Sequence, residues 1–366
     1  MRIVVFCHSL VSDWNHGNAH FLRGVVADLL DRGHDVRVYE PLDAWSRANL
    51  VAEHGRGAVD DVLEAFPWMR PQVYDPRELD VPALTDGADL VLVHEWNEPR
   101  LVAAVGRHRQ RVGYRLLFHD THHRAVTDPT AMAAYDLRHY DGVLAFGGVI
   151  RDLYLARGWA ARAWTWHEAA DVRTFRPVED VPPAGDLVWI GNWGDGERTS
   201  ELHEFLIDPV QRLGLRAAMY GVRYPDEARA ALAAARIRYG GWRPSHRVAA
   251  TYAAYSVTVH VPRRPYVENL PGIPTIRPFE ALACGIPLVC APWDDAEHLF
   301  TPGEDYLVGR DGEEMQQLLR DVLHDHDLAR SLREHGLRTI HARHTCAHRV
   351  DELLAICEEL GVKTSE

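Results

Sequence analysis

The chain has 366 residues, of which 46% are hydrophobic and 25% charged, an ordinary globular composition with length for two domains. Its formal net charge of −13 argues against nucleic acid as the main partner, because phosphate contacts call for a basic surface. No apolar run approaches the ~20 residues of a membrane span. The five cysteines are odd in number and widely spaced, without a C-x-x-C pair, which argues against a disulfide framework or zinc knuckle and for a reducing cytoplasm.

The N-terminal RIVVFC (2–7) reads as a buried strand, too short and lacking the cleavage pattern for a signal peptide. A helix over 21–33 with Gly33 at its stop and a strand over 35–40 follow, then strands at 89–95, 114–120 and 142–147. Strands without strict alternation, separated by helices, predict a parallel sheet covered on both faces. The stretch 171–186 is rich in proline and charge and reads as a linker. Alternation then restarts. Strands are predicted at 186–191, 215–221, 237–242, 256–261, 286–291 and 305–309, and helices at 199–214, 225–236 and 245–255. A last helix near 347–360 carries an apolar stripe of Val350, Leu353, Leu354, Cys357 and Leu360. The expected architecture is two Rossmann-like α/β domains facing across a cleft, 1–170 and 171–345, with 346–366 packing back on the first. In such sheets ligands sit at the carboxyl ends of the strands.

Residues just after strands are therefore the candidates. The loop HSLVSDWNHGNAHFLRG (8–24) lacks G-x-G-x-x-G, which argues against a dehydrogenase. It holds His8, Asp13, His16, Asn18 and His20 instead. It is either a contact surface for an acceptor or an ordinary turn capped by Asn18. After the strand ending near 118 come His119, His122 and His123, too crowded at one strand end to share a metal ion; His119 is expected to hydrogen-bond a polar substrate or phosphate.

In GNWGDGERTSEL (191–202), three glycines let the backbone approach a ligand closely, and Arg198 at a helix start adds a cation. The alternative is a solvent loop with Arg198 paired to Glu197 or Glu201. In TIRPFEALACGIPLVCAPW (275–293), Pro278 and Gly285 bound a predicted short helix, 278–284, with Glu280 in its first turn. Glu280 either complements the helix dipole, worth ~0.3–1 kcal/mol, or accepts the vicinal diol of a ribose. Thr275 and Arg277 would then donate to a diphosphate at the helix N-terminus.

ADVRTFRPV (170–178), GNWGDGER (191–198), IRPFEALACGIPLVC (276–290), TPGEDYLVGRDGEEM (301–315) and HTCAHRVDELL (344–354), in that order, resemble the glycosyltransferase group 1 superfamily of GT-B fold. Within it the chain is most similar to the CgeB-like spore-protein glycosyltransferases. The resemblance implies that Glu280 binds the nucleotide ribose and that Arg198 binds the diphosphate, with Gly191 and Asn192 in the same loop. It also implies that Gly241 and Trp242 lie along the base and that His119 approaches the transferred sugar. Group 1 enzymes often carry a second Glu eight positions earlier; here that position is Gly272, with Glu268 nearby but out of register.

The expected activity is transfer of a sugar from a nucleoside diphosphate-sugar, used as co-substrate without metal or other cofactor. The acceptor would be a small molecule or glycan. A retaining reaction needs no protein nucleophile, since the leaving diphosphate helps deprotonate the acceptor. An inverting one needs a base, for which Asp13, His16 and His119 are candidates. The rivals are a nucleotide-sugar epimerase or hydrolase on the same fold and a degenerate GT-B binding or coat protein.

Overall fold

The computed structural model describes residues 1–364. It divides into two compact units, Met1–Glu168 with the chain from Cys346 onward, and Ala169–Thr345. Both are built on parallel sheets.

The first unit holds β1 (Arg2–Phe6), β2 (Asp35–Pro41), β3 (Gln72–Tyr74), β4 (Leu90–His94), β5 (Arg115–Asp120), β6 (Gly142–Ala145) and β7 (Ala163–Thr165). Their order is β3-β2-β1-β4-β5-β6-β7, with Ile3 opposite both Val36 and Leu90. All five residues of β4 are buried, as are four of the five in β1. Unbroken burial requires cover on both faces, which explains why these strands show no alternation. The sequence missed β3 and β7. Both are three-residue edge strands that are partly exposed, so neither carries the apolar run that marks a central strand.

The Cys346–Glu359 helix lies in this unit. Trp166 Nε1 donates to the Arg349 carbonyl at 2.7 Å, and Arg32 pairs with Asp351 at 2.5 Å. Its buried face is Cys346, Arg349, Val350, Leu353, Ile356 and Cys357; Leu354, expected in the stripe, is only half-buried.

The second unit holds β8 (Gly185–Ile190), β9 (Ala217–Tyr220), β10 (Arg238–Tyr239), β11 (Tyr255–His260), β12 (Leu288–Cys290) and β13 (Leu307–Val308), in the order β10-β9-β8-β11-β12-β13. The predicted helix 199–214 is broken: a π turn, His203–Ile207, separates Thr199–Leu202 from Asp208–Leu213. Pro209 has no N–H for the helical ladder, and the Asp208 N–H reaches back five residues to His203. A second difference concerns Glu280. The helix starts at Ile276, with Thr275 as N-cap, and ends at Cys284 before left-handed Gly285. Glu280 is thus its fifth residue, beyond the first turn, and the helix-dipole account loses its geometry.

Candidate functional site

In each sheet the strand order reverses once, between β1 and β4 in the first unit and between β8 and β11 in the second. Open α/β sheets present their ligand crevice at such a point.

In the second unit, loops leaving β8, β9 and β10 lie side by side. Gly191 N–H donates to the Tyr220 carbonyl at 2.8 Å, and Gly221 N–H to the Gly241 carbonyl at 2.8 Å. A Cβ on Gly221 would sit 2.0 Å from the Gly191 oxygen, so only glycine allows this approach. Asn192 Oδ1 accepts from Val222 N–H at 3.0 Å. Gly241 and Trp242 lie farther out, at the end of β10.

Arg198 is the N-cap of the Thr199–Leu202 helix. Its guanidinium donates to the Val261 carbonyl at 2.6 Å, the Asn192 carbonyl at 2.5 Å and the Trp193 carbonyl at 3.4 Å. It lies 5.0 Å from the Trp189 ring centroid. Neither carboxylate offered by the sequence is its ion-pair partner: Glu197 pairs with Arg263 at 3.1 Å and Glu201 with Arg264 at 3.1 Å. Burial, with Arg263 and Arg277 nearby, pulls Arg198 down to about 9. A half-buried cation beside two more cations is the electrostatic signature of an anion site.

His260 closes β11 and is 3% exposed. Its Nε2 is 3.4 Å from Thr275 Oγ1 and its Nδ1 has no hydrogen-bond partner. Burial, then Arg198 and Arg277, push it down to about 3, so the ring is neutral. Thr275 adopts φ 63°, ψ 179°, a region almost reserved for glycine that costs about 1–3 kcal/mol and collects at functional sites. Arg277 pairs with Glu280, which is 2% exposed. The structure therefore joins Asn192, Arg198, Thr275, Arg277 and Glu280 through His260 and Arg263, two residues the sequence reading missed. Gly272 is left-handed, at φ +86°, and a Cβ there would meet Glu297 Oε1 at 2.7 Å. A carboxylate reaches this place, but from the loop after β12.

In the first unit, the β1 loop is clamped by Glu40 at the end of β2. This fully buried carboxylate accepts from Leu10 N–H, from Val11 N–H at 2.9 Å and from Ser9 Oγ at 3.3 Å. Asp13 pairs with buried Arg23 at 2.9 Å, which ties its carboxylate to a guanidinium. Four imidazoles gather here: His8–His16, His16–His94 and His94–His119 lie 5.4, 6.0 and 5.2 Å apart between ring centroids. His119 also packs 4.8 Å from Trp166. Burial pushes His119 to about 3 and His8 to about 4. His16 falls to about 3 through burial, then His8 and Arg23. His94 lies well below its ordinary value through burial and then His119. The sequence did carry a signal for His94 and His260, since LVLVH and SVTVH end in histidine as RLLFH does before Asp120. His122 and His123 pack against each other with tilted rings, centroids 3.9 Å apart. Among the described residues, no group of three or more His, Cys, Asp or Glu could hold a metal ion, and no helix is long and apolar enough to cross a membrane.

Two parallel α/β units with polar groups at the switch point of each sheet define a GT-B fold. Residues 198–355 match the family model described as Glycosyl transferase-like. Three solved structures share the fold. Sucrose-phosphate synthase from Thermosynechococcus elongatus has a TM-score of 0.68 at 16% identity, covering 98% of this chain and 99% of its own. HepE from Anabaena, in complex with UDP-glucose, has a TM-score of 0.70 at 12% identity, covering 98% and 100%. An alpha-glucosyltransferase in complex with UDP and a 13-mer DNA has a TM-score of 0.69 at 10% identity, covering 98% and 100%. No curated protein matches the sequence.

Proposed function

We propose that this protein transfers a hexose from a nucleoside diphosphate-sugar, such as UDP-glucose, to a small-molecule or glycan acceptor, with retention and without a metal. The observation that carries the reading is Arg198, a half-buried guanidinium bonded to carbonyl oxygens rather than a carboxylate and flanked by Arg263 and Arg277. A diphosphate supplies the missing negative charge, and the amides at the start of the Ile276–Cys284 helix add to its binding. Glu280 accepts the ribose hydroxyls, and Gly241 and Trp242 flank the base. In the reaction the bond from the sugar C1 to the β-phosphate oxygen breaks, and the electron pair leaves with the diphosphate. The acceptor atom bonds to C1 on the same face, and its proton passes to the departing diphosphate oxygen. The three guanidiniums neutralise the charge that develops there, the task a metal performs elsewhere. The net charge of −13 favours acceptors other than nucleic acid. Five buried cysteines, none of them in a disulfide, accord with the cytoplasm.

Titration calorimetry with uridine, UDP and UDP-glucose tests this, followed by product analysis with UDP-glucose in EDTA. UDP and UDP-glucose should bind at least roughly tenfold tighter than uridine, as one added charge-assisted hydrogen bond provides. Equal binding of uridine and UDP, or binding of neither, overturns the reading.

A further inference from the structure

Arg198 is available to an anion only because two nearby carboxylates have other partners. Glu197 is its immediate neighbour in the chain. Glu201 follows three residues later on the helix that Arg198 caps, the spacing at which side chains meet on a helix face. Glu197 is also near enough to bear on the charge of Arg198. An Arg198 paired with either one would have little charge to offer a ligand. Instead Glu197 goes to Arg263 and Glu201 to Arg264, both at 3.1 Å.

The second of these pairings is built into the loops. An exposed ion pair by itself contributes about 0–1 kcal/mol, and the side chains of Arg264 and Glu201 are 44% and 27% exposed. Arg264, however, is anchored to the loop after β8 by three further bonds. Its backbone N–H donates to the Glu197 carbonyl at 3.0 Å. Its Nε donates to the same carbonyl at 3.1 Å, and its Nη2 to the Gly196 carbonyl. The guanidinium therefore meets Glu201 already held in place, and little side-chain freedom is lost on pairing. The other oxygen of Glu201 accepts the Ser200 hydroxyl at 3.0 Å. Both oxygens of this carboxylate are thus engaged by groups other than Arg198.

Gly194 brings the first pairing equally close to Arg198. A Cβ on Gly194 would lie 3.1 Å from Arg198 Nε and 3.4 Å from Arg263 Nε, so the two guanidinium stems flank one glycine. The consecutive arginines after β11 therefore differ in position. Arg263 takes Glu197 and bears on Arg198 itself. Arg264 is bonded to the loop carbonyls and to Glu201.

We propose that Arg263 and Arg264 are positioning residues that hold Glu197 and Glu201 away from Arg198 and so keep its guanidinium available to a diphosphate. The diphosphate rests on the proposed function, whereas the role itself applies to any anion at Arg198. Removing Arg264 releases Glu201 to pair with Arg198. If that pair forms about nine-tenths of the time, anion affinity falls about tenfold, because only the unpaired fraction binds. Removing the Glu201 charge as well restores the affinity.

The test is calorimetry on the full chain with UDP, inorganic pyrophosphate and uridine. Arg264→Gln should weaken UDP and pyrophosphate about tenfold and leave uridine unchanged. The double variant Arg264→Gln, Glu201→Gln should bind both anions as the wild type does, and Glu201→Gln alone at least as tightly. Arg264→Lys keeps a cation for Glu201 and loses the fork that reaches both carbonyls, so it should retain most of the affinity. A double variant as weak as Arg264→Gln, or a Lys variant as weak, would mean that Arg264 supports the loop or touches the ligand, and either overturns the proposal. Unchanged anion affinity in Arg264→Gln, or an equal loss for uridine, overturns it too. Pyrophosphate separates the two readings. A wild type that binds pyrophosphate but not UDP sinks the nucleotide-sugar reading alone, and the rescue is then read with pyrophosphate. Normal UDP binding without rescue sinks this proposal alone, and a wild type that binds neither anion sinks both.

Discussion

Arg198 lies 5.0 Å from the centre of the Trp189 ring and sends one N–H to the carbonyl of Val261 at 2.6 Å, on the opposite side of the β8–β11 switch. This joins the loop after β8 to the loop after β11, as the Glu197–Arg263 pair also does. Arg198→Gln keeps a polar reach and removes the charge. UDP affinity should fall tenfold to a hundredfold, the equivalent of about 1.5–3 kcal/mol for a lost charge-assisted hydrogen bond. Uridine affinity should stay level. Calorimetry with both ligands checks this, and an equal loss for uridine would show that Arg198 only supports the loop.

Glu280 is paired with Arg277 yet assigned to the ribose, and the two roles separate by mutation. Glu280→Gln should weaken uridine and UDP alike, by roughly tenfold or more if a charge-assisted bond to the ribose is lost. A variant that unfolds at a lower temperature but binds uridine as the wild type does would leave Glu280 with a structural role only.

Thr275 holds φ 63°, ψ 179° at a cost that glycine would not incur. Thr275→Gly should stabilise the protein by about 1 kcal/mol net, since relief of about 1–3 kcal/mol is offset by the freedom glycine gains in the unfolded chain. UDP affinity should fall at the same time if the strained cap serves the ligand. Thermal unfolding with and without UDP reads both effects, and a destabilised variant would refute the strain argument.

His16, His119 and His260 are held neutral, each with its protonation pushed to about 3, whereas an unfolded histidine titrates near 6.5. The unfolded chain therefore binds more protons below about 6.5. Their stability contribution is complete above that pH and is lost as pH falls toward 3, by about 1.4 kcal/mol per pH unit for each ring once below 6.5. Buried Glu40 and Asp120, whose carboxyls are raised chiefly by burial, act in the opposite direction. Unfolding midpoints between pH 7 and 5 should thus fall less steeply for His260→Gln than for the wild type. Parallel slopes would mean that His260 is charged in the folded protein.

Gly221→Ala and Gly241→Ala should differ although both glycines have positive φ. The first places a Cβ 2.0 Å from the Gly191 oxygen, while the second meets nothing within 4 Å. Gly241→Ala should cost about 1–2 kcal/mol for its backbone conformation, and Gly221→Ala about 1–3 kcal/mol beyond that for the overlap. Urea unfolding compares them, and equal costs would mean the loops after β8 and β9 can separate freely.

The amino-acid sequence alone determined the parallel α/β architecture, because buried central strands must be continuous apolar runs and the helices between them amphipathic. It also marked Arg198, Thr275, Arg277 and Glu280, which follow strands or open a helix bounded by left-handed Gly285. It did not determine where Glu280 falls in its helix, because Thr275 enters the cap through a conformation that propensity assigns to glycine. Nor did it reveal that Glu197 and Glu201 go to Arg263 and Arg264, leaving Arg198 to carbonyl oxygens, since partner choice among neighbouring charges depends on which loops meet. The histidine cluster was hidden for the same reason. His16, His94 and His119 are far apart along the chain and become neighbours only because β1, β4 and β5 lie side by side.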